Sequence, residues 1–189
     1  MQRTAVAPFM ARSQLLAGTW LARRWYYTPR SRRAYSVRQI APGDRRLLAE
    51  FVVTLSREAA ERDRAGMQEL TDLLFDHVLG GDTPESAGYA ALENTAAGDR
   101  VIGVCACTAQ SDDAAEFRVA VAASHREEQI GRNLLSTLLR HVRRIGVARL
   151  IGEMHWSNRP MHMLALSMGF VVEPVPRDRN LRRLSLALR

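Results

Sequence analysis

The stretch from Ala115 to Leu139, AEFRVAVAASHREEQIGRNLLSTLL, constrains the fold more than any other part of the chain. It opens as a strand over residues 116–121, passes through a polar loop, and enters a helix whose apolar residues Ile130, Leu134, Leu135, Leu138, Leu139 and Val142 recur at helical spacing. Gly146 stops that helix, and Arg149–Met154 returns as a strand. A strand, a helix and a second strand in this order form a β-α-β crossover, which pairs its two strands in parallel.

The flanking segments supply the rest of a sheet. Tyr35–Ile40 alternates like a strand, and a helical stretch follows from Pro42-Gly43-Asp44 to about His77, with a break expected near Gly66. Its apolar residues are Leu47, Leu48, Phe51, Val52 and Leu55, then Leu70, Leu73, Leu74 and Val78. A loop is expected at 80–84. Tyr89–Glu93 and Val101–Cys107, joined by a short Ala-Gly-Asp turn, read as a β-hairpin. After the crossover come a short helix from Arg159 to Met168, closed by Gly169, and two final strands over 170–175 and 181–186. An antiparallel meander beside one crossover predicts a mixed α/β sheet, mostly antiparallel, with helices on both faces.

Charge is segregated along the chain. All 27 basic residues are arginine, and the formal net charge is +7. Residues 1–43 hold eight arginines and no acid, so they carry +8, and the remaining 19 arginines stand against 20 acids, giving −1. The basic balance thus belongs to a leader and not to the fold. Nucleic-acid binding, which needs a basic face, is not expected of the near-neutral part. Residues 1–34 form a basic extension: acid-free and arginine-rich, with Leu15, Leu16, Trp20, Leu21 and Trp25 loosely spaced as in a helix. That composition suits a disordered extension, an upstream start, or a targeting or membrane-surface segment. Membrane contact is expected only through it, and the compartment is the cytoplasm unless this leader directs the chain to an organelle. No apolar run reaches the roughly 20 residues of a membrane-spanning helix.

Cys105 and Cys107 fall on one face of a strand and are expected to be buried, reduced and inert. His125, His141, His155 and His162 have no ligand spacing, so no metal is expected. His141 is placed on a helix surface beside Arg140, Arg143 and Arg144, and Met161, Met163 and Met168 in the core.

The loop into the 130–144 helix presents unpaired backbone N–H groups and a positive dipole end, which suit a pyrophosphate. Arg126-Glu-Glu-Gln-Ile-Gly131 in that loop, with Asn158-Arg-Pro-Met161 through Met168-Gly-Phe170 downstream, resembles the GNAT superfamily of N-acetyltransferases. In that superfamily an R/Q-x-x-G-x-G/A loop holds the acyl-CoA pyrophosphate. The likeness is closest to the acetyltransferase domain of bacterial Pat-type protein lysine acetyltransferases and covers most of residues 36–186, which implies a GNAT domain over 35–189.

The resemblance implies transfer of an acetyl group from acetyl-CoA, as cosubstrate, to an amine, either a protein lysine or a small molecule. It implies cofactor contacts from the backbone of Val119 and Val121, from the loop residues Arg126, Gln129, Ile130, Gly131 and Arg132, and from Asn158. Glu116 matches the position of the glutamate proposed as general base in Pat-type domains, and it equally suits a strand carboxylate paired with Arg118 or a neighbouring arginine. Asn158 equally suits a helix cap. Two departures stand out. Gln129 replaces the first glycine of the loop, and Glu127 and Glu128 put carboxylates beside the pyrophosphate position. Ala165 stands where many of these enzymes carry a tyrosine that protonates the leaving thiolate. The alternative implied by Gln129, Glu127 and Glu128 is a non-catalytic GNAT-like regulatory or binding module with weakened CoA binding, while the missing tyrosine agrees with Pat-type domains, which often lack it too.

Overall fold

The computed structural model describes residues 23–28, 33–58, 64–80, 86–111 and 113–188. The leader's helical pattern before Trp25 and most of the 80–84 loop lie outside these. Strands β1 (Arg24–Tyr27), β2 (Ala34–Gln39), β3 (Ser86–Thr95), β4 (Gly98–Ser111), β5 (Ala114–Val121), β6 (Arg149–His155), β7 (Val171–Val175) and β8 (Asp178–Ala187) form one sheet. Its order is β1-β2-β3-β4-β5-β6-β8-β7. Every neighbouring pair is antiparallel except β5 and β6. The mixed sheet is as expected. Edge strand β1, by contrast, comes from the basic segment before residue 35: Tyr26 stacks on Tyr35 at 5.5 Å between ring centroids, and Arg23 pairs with Asp99.

Side-chain alternation in the central strands divides the core in two. Ala90, Leu92, Val104 and Ala106 face helices α1 (Arg45–Glu58) and α2 (Arg64–Asp72, continued by a π-helical turn over Leu73–Val78), meeting Leu48, Phe51, Leu55, Leu70 and Leu74. Tyr89, Ala91, Cys105, Cys107 and Phe117 face the opposite way, toward α3 (Ile130–Ile145) and its apolar stripe from Ile130 to Ile145. Helix α4 (Arg159–Ser167) adds the buried Ala165 on that side. Gly66, where a break was expected, instead sits inside α2.

Two further expectations are corrected. His141 is buried at 5% exposure, with Tyr89 Oη 3.2 Å from its Nδ1; it follows Leu134 by seven residues and Leu138 by three and precedes Ile145 by four, so it shares their buried side of α3. Burial, and then the charge of Arg144, push its pKa down to about 4. Met163 is 67% exposed, while Met161 and Met168 pack against the core edge. Both cysteines are free and buried as expected, and burial pushes the Cys107 thiol up to about 12.

Candidate active site

The site forms where the two parallel strands part. Strand β5 pairs with β6 only over Ala114–Glu116 against Arg149–Ile151. On its other edge it stays paired with β4 along its length. The Ala122 amide donates to the Ile102 carbonyl at 3.0 Å. By the alternation of an antiparallel ladder, the backbone groups of Val119 and Val121 therefore point away from β4, into the gap that β6 leaves. The Phe117 ring lies across the parting point: a Cβ built on Gly152 of β6 would meet it at 2.8 Å, and the ring packs on Phe170 at 5.4 Å between centroids.

The loop from β5 to α3 closes one end of this gap. It makes a 3-10 turn at Ala123–His125 and then two left-handed residues, Glu127 at φ 63° and Gln129 at φ 61°. Among the described residues these are the only non-glycine positive φ values. The Gln129 carbonyl accepts from the Asn133 amide at 3.0 Å, but no side chain caps α3. The first amides of the helix, at Ile130, Gly131 and Arg132, therefore lie beyond the reach of intrahelical bonds. A Cβ on Gly131 would lie 3.3 Å from Leu164 of α4 and 3.7 Å from Val121 of β5, so helix start, strand end and α4 meet there. Arg132 spans the same corner, donating to Ser167 Oγ at 2.8 Å. Of the two loop acids, Glu127 is exposed and Glu128 is buried, with its charge acting on the buried phenol of Tyr35.

The model of the acetyltransferase (GNAT) family matches residues 49–170. The chain belongs to the GNAT acetyltransferase family, acyl-CoA-dependent acyltransferases as a class. Among curated protein sequences, none matches it significantly. Solved GNAT folds superpose on it at low identity. The GNAT domain of S. lividans PAT does so with TM-score 0.63 at 18% identity, over 87% of this chain and 96% of that one. For yncA of Salmonella typhimurium, solved with its cofactor acetyl-CoA, the TM-score is 0.56 at 21% identity, over 82% and 94%. A cAMP-binding acyltransferase from Mycobacterium smegmatis gives 0.61 at 17% identity, over 95% of this chain and 51% of that one.

Within this GNAT domain the residues singled out from the sequence divide. Val119, Val121, Ile130, Gly131 and Arg132 gather at the gap, with Gln129 and the exposed Arg126 on the loop beside them. Asn158 caps α4, its Oδ1 accepting from the Met161 amide at 3.2 Å. Glu116 sits at the parting point and is ion-paired: its Oε1 lies 2.6 Å from Arg118 Nη2, and its Oε2 accepts from Gln110 at 2.9 Å.

Other contacts were not visible in the sequence. Glu69 of α2 reaches the same Arg118 nitrogen at 2.6 Å. Glu58 of α1 accepts from the Ala123 amide at 2.8 Å, anchoring the loop's first turn. His125 is buried 3.7 Å from Glu93, a carboxyl that burial would raise but that Arg100, His125 and Arg33 hold below its ordinary range. The spacing of Glu116 and Arg118, two apart on one strand, signalled only their own pair. Among the described residues, no cluster of three or more His, Cys, Asp or Glu is placed to hold a metal ion, and no helix is long and apolar enough to cross a membrane.

Proposed function

We propose that the chain is an acetyl-CoA-dependent N-acetyltransferase that passes the acetyl group directly to an amine. The observation that carries this reading is the gap between β5 and β6 with the uncapped start of α3 at its end. Backbone groups of Val119 and Val121 suit the amide-bearing pantetheine arm, and the amides of Ile130, Gly131 and Arg132, with the dipole of α3, suit the pyrophosphate. Arg126 and Arg132 add positive charge, and Asn158 contributes by starting α4 at the mouth. Glu116 takes a proton from the acceptor ammonium, directly or through water, and the neutral amine then attacks the thioester carbonyl. An N–H of β5 at the gap stabilises the oxyanion. With Ala165 in place of a tyrosine, the thiolate is protonated by the attacking nitrogen or by solvent.

The acceptor is a protein lysine or a small-molecule amine; the likeness of AEFRVAV and the following motifs to Pat-type domains supports the first. The acyltransferase domain spans 35–189 with β1 (Arg24–Tyr27) added to its sheet edge, and the part of the leader before β1 is an extension that bears on location. The left-handed Glu127 and Gln129 favour the second reading, a GNAT-like module that has lost effective CoA binding. Calorimetric titration with acetyl-CoA separates the two. Saturable binding is expected, with Glu116→Gln lowering turnover at least tenfold while sparing CoA affinity. Absence of binding up to millimolar ligand refutes the enzyme reading, and unchanged turnover in Glu116→Gln reassigns that residue to structure.

A further inference from the structure

Glu116 and Arg118 lie two residues apart on β5, on the side that faces α1 and α2, as do Ala120 and Ala122. The guanidinium is largely enclosed, with its side chain 16% exposed, and Nη1 also lies 3.5 Å from the Phe117 carbonyl. One nitrogen, Nη2, meets two carboxylates: Glu116 at 2.6 Å from its own strand, and Glu69 at 2.6 Å from α2. Glu69 is 55% exposed, and a pair of that kind contributes only about 0–1 kcal/mol. An incoming carboxylate displaces it at little cost, because it restores the same charge-assisted bond.

We propose that Arg118 anchors the carboxylate of the acceptor, so that the amine substrate is a free α-amino acid; this rests on the acyltransferase reading above and takes its small-molecule acceptor over the protein lysine that motif likeness favours. A simple amine, or a lysine in a protein, brings only a positive charge. It must take Glu116 from Arg118 and leave an enclosed guanidinium with one exposed partner. A zwitterion replaces both halves of the pair: its ammonium sits on Glu116, and its carboxylate takes the place of Glu69 on Arg118. The ammonium gives one proton to Glu116. The amine forms the new C–N bond as the C–S bond breaks, and its second proton goes to the departing thiolate, giving N-acetyl amino acid and free CoA thiol.

The test measures CoA-thiol release from acetyl-CoA with the twenty common amino acids, their methyl esters and a lysine-containing peptide, beside calorimetry with acetyl-CoA alone. At least one free acid is expected to exceed its ester by tenfold or more in kcat/KM. Arg118→Gln brings that ratio toward one through the acceptor KM and leaves the acetyl-CoA KM unchanged. Glu69→Gln, on an exposed helix position that keeps the fold, lowers the acceptor KM by up to about fivefold, the equivalent of the surface pair it removes. The proposal is overturned if esters or the peptide match the free acids, if the ratio survives in folded Arg118→Gln, or if Glu69→Gln raises the acceptor KM. Should acetyl-CoA bind while no amino acid is acetylated, the acceptor assignment falls and the acyltransferase reading stands. Should acetyl-CoA not bind, both fall.

Discussion

Replacing Gln129 by glycine is expected to stabilise the protein, against the ordinary direction of such a change. A residue with a Cβ in the left-handed region is disfavoured by about 1–2 kcal/mol, and Gln129 holds φ 61° and ψ 8° with no capping bond from its side chain. Glycine is free of that strain, but its greater freedom in the unfolded chain costs about 0.5–1 kcal/mol. The difference leaves a net gain of about 0.5–1 kcal/mol. For a domain of this size, that raises Tm by roughly 1–4 °C. Urea denaturation of wild type, Gln129→Gly and Gln129→Ala reads it directly. Alanine keeps the Cβ and the strain, so its midpoint stays close to wild type, while glycine moves upward. A glycine midpoint below wild type, with alanine unchanged, refutes the left-handed loop and with it the argument that this loop holds its shape under strain. Acetyl-CoA titration of the same variant adds a functional readout: the Cβ is removed at the point where the family's glycine lets the backbone approach phosphate, so Kd is expected to fall.

Three further outcomes follow from buried groups. His141, shifted from 6.5 to about 4, takes up its proton more readily when unfolded, so stability is complete above pH 6.5 and falls as pH drops toward 4. The total loss is about 3 kcal/mol, and His141→Phe is expected to flatten the slope of unfolding free energy between pH 7 and 4.5. Asp44, although its burial alone would raise its pKa, is held below its ordinary range by Arg38, at 2.6 and 2.7 Å, and by the Ala41 amide at 2.8 Å. Its contribution is present above the ordinary carboxylate pKa and is lost as pH falls through the lowered one. Asp44→Ala is expected to cost about 2–3 kcal/mol in a urea melt at pH 7. Gly152→Ala drives a methyl into the Phe117 ring, a rigid neighbour at 2.8 Å, and is expected to cost about 1–3 kcal/mol. An unchanged melt would show that the ring does not cross the parting point of β5 and β6.

The legible parts of the fold were those governed by local periodicity. The α3 stripe from Ile130 to Val142 and the alternation in β3, β4 and β5 each report which face is buried, and the sheet is built on them. The parting of β5 from β6 left no such trace. Strand residues past the last pair keep the same alternation whether a neighbour is present or not, so Val119 reads as an ordinary strand valine. His141 escaped for a related reason. A polar side chain surrounded by arginines in sequence suggests solvent, but three buried neighbours at helical spacing decide its direction, and Tyr89, far away in the chain, supplies its partner. Edge strand β1 was hidden by the arginines around Trp25 and Tyr26, since an edge strand tolerates charge on its flanks.

The loop shows how one geometry is reached by different means. Where a glycine makes the left-handed turn easy, the turn residue itself specifies the path. Here Glu127 and Gln129 are exposed and strained, while His125, Glu128 and Ile130, which alternate with them along the loop or follow directly, are buried. Ala123 is tied by its amide to Glu58, and His125 lies beside Glu93. Strained backbone persists only where its surroundings over-determine it, so the inward residues must hold the path that glycine would have made easy. This makes the consequence of loosening an anchor specific. His125→Ala is expected to relax Gln129 out of the left-handed region and so to weaken acetyl-CoA binding, and in the Gln129→Gly background, where the strain at position 129 is gone, the same substitution weakens binding less. Equal losses in both backgrounds, measured by calorimetry, would show that His125 and Gln129 act independently and that the anchors do not hold the turn.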